Sequence, residues 1–162
     1  MLTAFERAQA VYGPIDRWYI EDYEKFRKRF SERLTEFMKI SKDNGDYSYI
    51  LADGTLIGDL NYSASTNFGQ PFEYDSNWRG VIEVDIDGKN KGKNQLGTDI
   101  FVFDVITDGI FPEQLLDESQ CFAHGYCTRW VIENENMDYL KAGSDGKCPN
   151  GVQLSWTQTS CK

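Results

Sequence analysis

Two apolar runs around a polar turn organise this chain. Val81-Ile82-Glu83-Val84-Asp85-Ile86 leads into Asp87-Gly88-Lys89-Asn90-Lys91-Gly92-Lys93-Asn94, and Asp99-Ile100-Phe101-Val102-Phe103 follows. β-Branched and aromatic residues flanking a Gly/Lys/Asn-rich segment predict a hairpin whose apolar face needs a cover. The cover lies upstream. Tyr19, Tyr23, Phe26, Phe30, Leu34, Phe37 and Met38 recur at steps of three and four, predicting an amphipathic helix from about Asp16 or Glu21 to Ser41. Such a helix is roughly 30 Å long at about 1.5 Å per residue, enough to cross a small sheet. A shorter helical segment precedes it from Leu2 to Tyr12, with Leu2, Phe5, Ala8 or Gln9, and Tyr12 on one side. Gly13-Pro14 ends or bends that segment.

Other elements are shorter. Tyr47-Ser48-Tyr49-Ile50-Leu51-Ala52 and Thr55-Leu56-Ile57-Gly58-Asp59-Leu60 flank Asp53-Gly54, which predicts a two-residue type I′ hairpin. Asn61 to Arg79 is polar and reads as a long loop, Thr107-Asp108-Gly109 closes the last hairpin strand, and Phe111-Pro112 starts an irregular segment. Cys127 to Ile132 is compatible with a helical turn or a strand, and Val152 to Trp156 with a last edge strand. The expectation is one α+β domain: 1–42 helical, 47–106 antiparallel hairpins, and 107–162 an irregular tail tied by disulfides.

Composition narrows the class. The 162 residues are 40% hydrophobic and 14% aromatic, enough for a packed core. A formal charge of −9 argues against a nucleic-acid partner, because phosphate neutralisation needs clustered Lys and Arg. Lys25, Arg27, Lys28 and Arg29 do cluster, but acidic residues flank them and the group reads as a solvated helix face. Cys121, Cys127, Cys148 and Cys161 form an even set without a CxxC motif, which favours disulfides over zinc and so an oxidising compartment. Four cysteines allow three connectivities; Cys121–Cys127 with Cys148–Cys161 is expected because each bridge then closes a short local loop. The first residues carry no charged n-region and no apolar core of a signal peptide. Since a bridged protein must be exported, an export element upstream of this folded part is expected.

Candidate chemistry is sparse. His124, the only histidine, sits between two cysteines and reads as a loop residue; no G-x-S-x-G, Walker A or G-x-G-x-x-G motif occurs. With 26 acidic residues, chance carboxylate pairs are expected, so no catalytic residue is assigned and the chain does not read as an enzyme. Hard oxygen donors crowd the central turn, and Asp85, Asp87, Asn90 and Asp99 form a candidate Ca²⁺ site, otherwise without cofactor. The EF-hand template fails there, since Lys89 and Leu96 occupy ligand positions and Lys91 and Lys93 add positive charge. The competing reading is a solvated turn with Asx bonds to its own backbone.

As an ordered set, Val84-Asp85-Ile86-Asp87-Gly88 with Asn94, Gly97, Asp99, Phe101 and Phe103 resembles the central signature of bacterial type IV pilin-like proteins, type II secretion pseudopilins included. Tyr49 to Gly54, Cys127 to Ile132, Asn136 to Leu140, Leu154-Ser155-Trp156 and Cys161-Lys162 fit the same pattern, which spans roughly Phe26 to Lys162. The resemblance implies a helix-on-sheet head, an apolar N-terminal helix anchoring it in the inner membrane, other pilin or pseudopilin subunits as partners, and a periplasmic or cell-surface location. Leu2 to Tyr12 would be the outer end of that helix. A different class, a secreted ligand- or carbohydrate-binding domain, would show the same disulfides and exposed aromatics such as Tyr74 and Trp78.

Overall fold

A computed structural model describes residues 2–18, 23–61, 78–88, 91–106, 109–113 and 118–162. Six strands form one antiparallel sheet in sequence order: β1 (Ile40–Asp43), β2 (Tyr49–Leu51), β3 (Leu56–Asn61), β4 (Trp78–Asp85), β5 (Ile100–Ile106) and β6 (Gly109–Pro112). The central hairpin is the β4–β5 pair, in register from Trp78↔Ile106 to Asp85↔Ile100. Each strand hydrogen-bonds to the one before it in sequence, across the short connections and also across the longer ones from β3 to β4 and from β4 to β5.

Helix α1 (Leu2–Tyr12), a 3₁₀ turn (Ile15–Trp18) and α2 (Tyr23–Thr35) cover one face of this sheet. Ala4, Phe5, Ala8, Ile15, Trp18, Phe30 and Leu34 meet Ile57, Ile82, Val105 and Ile110 in a single core. Trp18 is fully buried between Phe5 and Phe30, ring centroids 6.1 and 6.0 Å away, and its Nε1 donates to the Gly13 carbonyl. The helix-on-sheet expectation therefore holds. Of the aromatic stripe, Tyr19 and the side chains of Tyr23 and Phe26 lie outside the described residues.

The second helix is shorter than its periodicity implies. It ends at Thr35 rather than Ser41, and Ile40–Asp43 is an edge strand, so the helical region stops short of residue 42. Thr35 Oγ1 bonds back to the Ser31 carbonyl, and the amides of Phe37 and Met38 turn to carbonyls only three residues back. The chain thus tightens out of the α-helix, while Phe37 and Met38 still rest on the core, which is why the apolar period outruns the helix. The Asp53-Gly54 link also differs from the two-residue expectation. Ile50 pairs with Leu56, the Leu51 carbonyl accepts the Gly54 amide, and positive φ falls on Gly54 (95°) and not on Asp53. That is a type I turn closed by a left-handed glycine. Phe111-Pro112 is not irregular but belongs to β6, where proline sits without penalty on a sheet edge. Thr107, Asp108 and most of the polar loop after Asn61 lie outside the described residues.

The tail is not merely irregular. It holds two short helices, α3 (Glu118–His124) and α4 (Thr128–Asn134), and a 3₁₀ turn at Asp138–Lys141. The Cys127–Ile132 ambiguity resolves as helix, and the edge strand expected at Val152–Trp156 is reduced to isolated bridges at Gln153 and Ser155. Both disulfides pair locally, Cys121–Cys127 and Cys148–Cys161. They border a second core of Cys121, Cys127, Trp130, Tyr139, Cys148 and Leu154, with Phe122, Val131 and Trp156 packed against it. Replacing Cys148 and Cys161 by alanine should lower stability by about 3 kcal/mol, and removing the shorter Cys121–Cys127 loop by about 2 kcal/mol, on chain-entropy grounds. Urea unfolding of each double variant beside the intact protein measures both losses.

Candidate functional site

Where the β4–β5 turn meets the tail, carboxylates, backbone amides and a disulfide gather. Asp85 ends β4 and Asp99 immediately precedes β5; both are buried, 5% and 4% exposed. Asp85 Oδ1 accepts the amides of Asp87 (3.3 Å) and Gly88 (2.9 Å). Asp99 Oδ1 accepts the Gln95 amide at 2.6 Å, while its Oδ2 accepts those of Asn94 (2.8 Å) and Lys93. These amide bonds, that from Gln95 foremost, hold the Asp99 carboxyl below its usual range. The two side chains thus act as internal acceptors that shape a turn whose amides have no ladder partner.

Asp87 differs. Its Oδ1 is buried without a hydrogen-bond partner, and burial, then the neighbouring Asp85 and Asp99 carboxylates, raise its pKa. Three of the four candidate Ca²⁺ ligands are therefore adjacent, and Asn90 lies outside the described residues. Among the described residues no group of three acidic, His or Cys side chains is arranged to hold a metal ion. Because Asp85 and Asp99 already accept backbone donors, millimolar Ca²⁺ should leave Tm unchanged, whereas Asp87→Asn should raise it by removing the unmatched charge. A Ca²⁺-dependent rise in Tm that Asp87→Asn abolishes would establish the cation site instead.

The turn is clasped by the tail. Tyr139 donates its hydroxyl to the Gly97 carbonyl at 2.7 Å, and burial pushes that phenol's pKa up. Gly97 and Gly125 both have positive φ and face each other's strand of backbone. A Cβ on Gly97 would stand 2.6 Å from the Gly125 carbonyl oxygen, and one on Gly125 would stand 2.5 Å from that of Leu96. Only glycine admits this approach.

Glu113 forms the second link, just beyond β6. It is 3% exposed; Oε1 accepts the Thr128 amide at 2.7 Å, and Oε2 is buried without a partner. Thr128 Oγ1 in turn accepts the Val102 amide at 2.9 Å, so one residue pair joins β5, β6 and the start of α4. Burial outweighs the bonds from Thr128 and pushes the Glu113 pKa up to about 7. Nothing in the sequence marks Glu113 as special. Its partner lies fifteen positions away, in a tail without periodicity.

Elsewhere, His124 is exposed at the end of α3. Tyr74 and the side chain of Trp78 lie outside the described residues. The Lys25–Arg29 cluster divides: Arg27 lies over the Tyr47 ring at 4.6 Å, while Lys25, Lys28 and Arg29 line a cleft with Arg33. Among the described residues no helix is long and apolar enough to cross a membrane. Comparison with protein-family models, with curated proteins and with solved structures finds no match to this chain.

Proposed function

We propose that this chain is the globular head of a pilin-like structural subunit of a type IV pilus or a type II secretion-like fibre. In this reading an apolar helix continuous with α1 anchors the head in the inner membrane and then stacks with those of other pilin or pseudopilin subunits. The sheet and disulfide-tied tail face outward, at the periplasmic side or the cell surface. The observation that carries it is the two-faced first helix. Ala4, Phe5 and Ala8 are buried against the sheet side, while Val11 on the same helix is 62% exposed. The free side of this helix mixes Ala10 and Val11 with Thr3, Glu6 and Arg7, and a helix half-embedded in its own head that still exposes apolar residues at its C-terminal end suits lateral association between copies. The disulfides add support for an oxidising location. Assembly, rather than turnover of a substrate, is then the activity.

Fractionating cells that express the complete gene tests this. The reading expects the product in the inner-membrane fraction, resistant to alkaline carbonate. Recovery solely as a soluble periplasmic or secreted species would overturn it and favour a secreted binding domain.

A further inference from the structure

The tail packs as a body of its own. Its core of Cys121, Cys127, Trp130, Tyr139, Cys148 and Leu154 shares no residue with the helix-on-sheet core. Cys121–Cys127 and Cys148–Cys161 both begin and end inside residues 118–162, so neither bridge ties the tail to the sheet. The disulfides therefore hold the tail together internally and leave its docking to non-covalent contacts.

Those contacts run through a few groups. The Thr128 amide donates to Glu113 Oε1 at 2.7 Å, the Val102 amide to Thr128 Oγ1 at 2.9 Å, and the Tyr139 hydroxyl to the Gly97 carbonyl at 2.7 Å. Cys127, the N-cap of α4, offers that helix no side-chain acceptor, so Glu113 supplies one from across the joint. The other oxygen, Oε2, is sealed in the joint without a partner. A neutral carboxyl tolerates such a place far better than a carboxylate stripped of water at one oxygen.

Among the described residues the neighbouring charges do not neutralise it. On β5, Asp104 is itself buried. On α4, the Arg129 amide favours the ionised form, but its guanidinium turns to Glu133 at 2.7 Å and to the Trp156 ring at 5.0 Å. On the 3₁₀ turn, Lys141 pairs with Asp138, and Tyr139 stays a neutral phenol. Helix α1, which also packs on β6, carries Glu6 and Arg7, both exposed.

We propose that Glu113 is a proton-operated latch: carrying its proton it keeps the tail docked, and on losing it the tail lifts from β5 and β6 as one folded unit. Docked, the carboxyl keeps its proton up to about 7; lifted into water, it releases it near 4.5. Below 4.5 both forms hold the proton and docking is strongest. Between the two values only the docked form holds it, so each step up in pH favours lifting. From pH 5 to 7.5 the lifted share should grow about fiftyfold.

Native-state hydrogen exchange on the disulfide-intact protein at pH 5 and 7.5, with and without low urea, tests this. The reporters are the amides of Thr128 and Val102, whose acceptors lie across the joint. Their protection, corrected for the intrinsic pH dependence of exchange, should fall about fiftyfold at the higher pH. At pH 7.5 both should be less protected than Val131 inside α4 and than the amides inside β4. Low urea should hardly accelerate them, because lifting exposes little surface. Glu113→Gln keeps an acceptor for Thr128 and cannot ionise, so it should hold both reporters near their pH 5 protection. Urea-sensitive exchange at the same rate as β4 would mean that the joint opens only with the whole chain, and would overturn the proposal. So would an undiminished fall with pH in Glu113→Gln. The urea comparison uses the unaltered protein and decides even where the variant fails to fold.

Discussion

Trp130→Ala should cost about 3–5 kcal/mol, the largest loss expected from any single change in the tail. The indole is fully buried at the centre of the second core. Its ring meets Trp156 at 5.3 Å, Phe122 at 5.5 Å and Tyr139 at 6.3 Å between centroids, and its Nε1 donates to Asn136 Oδ1. Three ring contacts meet on this one side chain, so truncation leaves a cavity at the centre of the tail's core. The damage should stay local, because the helix-on-sheet core shares no residue with this one. Hydrogen exchange should lose protection across residues 118–162 while β4 and β5 keep theirs. Ile132→Ala, on the same helix but 51% exposed, is the control and should change stability by less than about 0.5 kcal/mol. Equal effects of the two would mean that Trp130 does not organise the tail.

Stability should also fall as pH rises from about 4.5 to 7, and Glu113→Gln should remove most of that slope. In the unfolded chain this carboxyl titrates near 4.5, in the folded protein at about 7. Below 4.5 both states hold the proton, and the favourable contribution of neutral Glu113 is complete. Between the two values only the folded state keeps the proton, so each pH unit gained favours unfolding; above 7 the loss levels off. The whole effect is about 3 kcal/mol at most. Asp87, also raised, adds in the same direction. Asp138 works oppositely: its bonds to Lys141, Cys161 and Ser160 hold it at about 2, so its contribution is present above its ordinary value and is lost as pH falls to that value. A stability maximum at about pH 4 to 4.5 follows. Urea unfolding at pH 5 and 7.5 should show the intact protein weaker at the higher pH and Glu113→Gln with much the smaller difference. The acceptor for the Thr128 amide survives in that variant, so an undiminished slope would assign the pH dependence to other groups.

Much of the sheet was legible because alternation and turn chemistry are local. Val81–Phe103 and the strands around Gly54 pair as the pattern requires. The end of α2 was not, because Phe37 and Met38 keep the helical period after the backbone has left it. The tail was harder still. Trp130, Tyr139, Leu154 and Trp156 are spread without any period, and only the folded chain brings them together with the disulfides. The local cysteine pairing was legible from loop length alone. For the candidate sites, the crowding of Asp85, Asp87 and Asp99 could be read from spacing, but not the use of two of them as backbone acceptors. Lys25 and Arg29 were visible as a charged run; that Arg33 completes a cleft with Tyr12 depends on how α1 crosses α2.

Cross-linking in the living cell bears most directly on a head that serves assembly. With a photo-activatable residue at the exposed Val11 position of α1, in the complete gene and its native host, illumination should give a ladder of bands at multiples of the subunit mass. A product that remains monomeric under illumination, or is trapped only with unrelated proteins, would contradict the account.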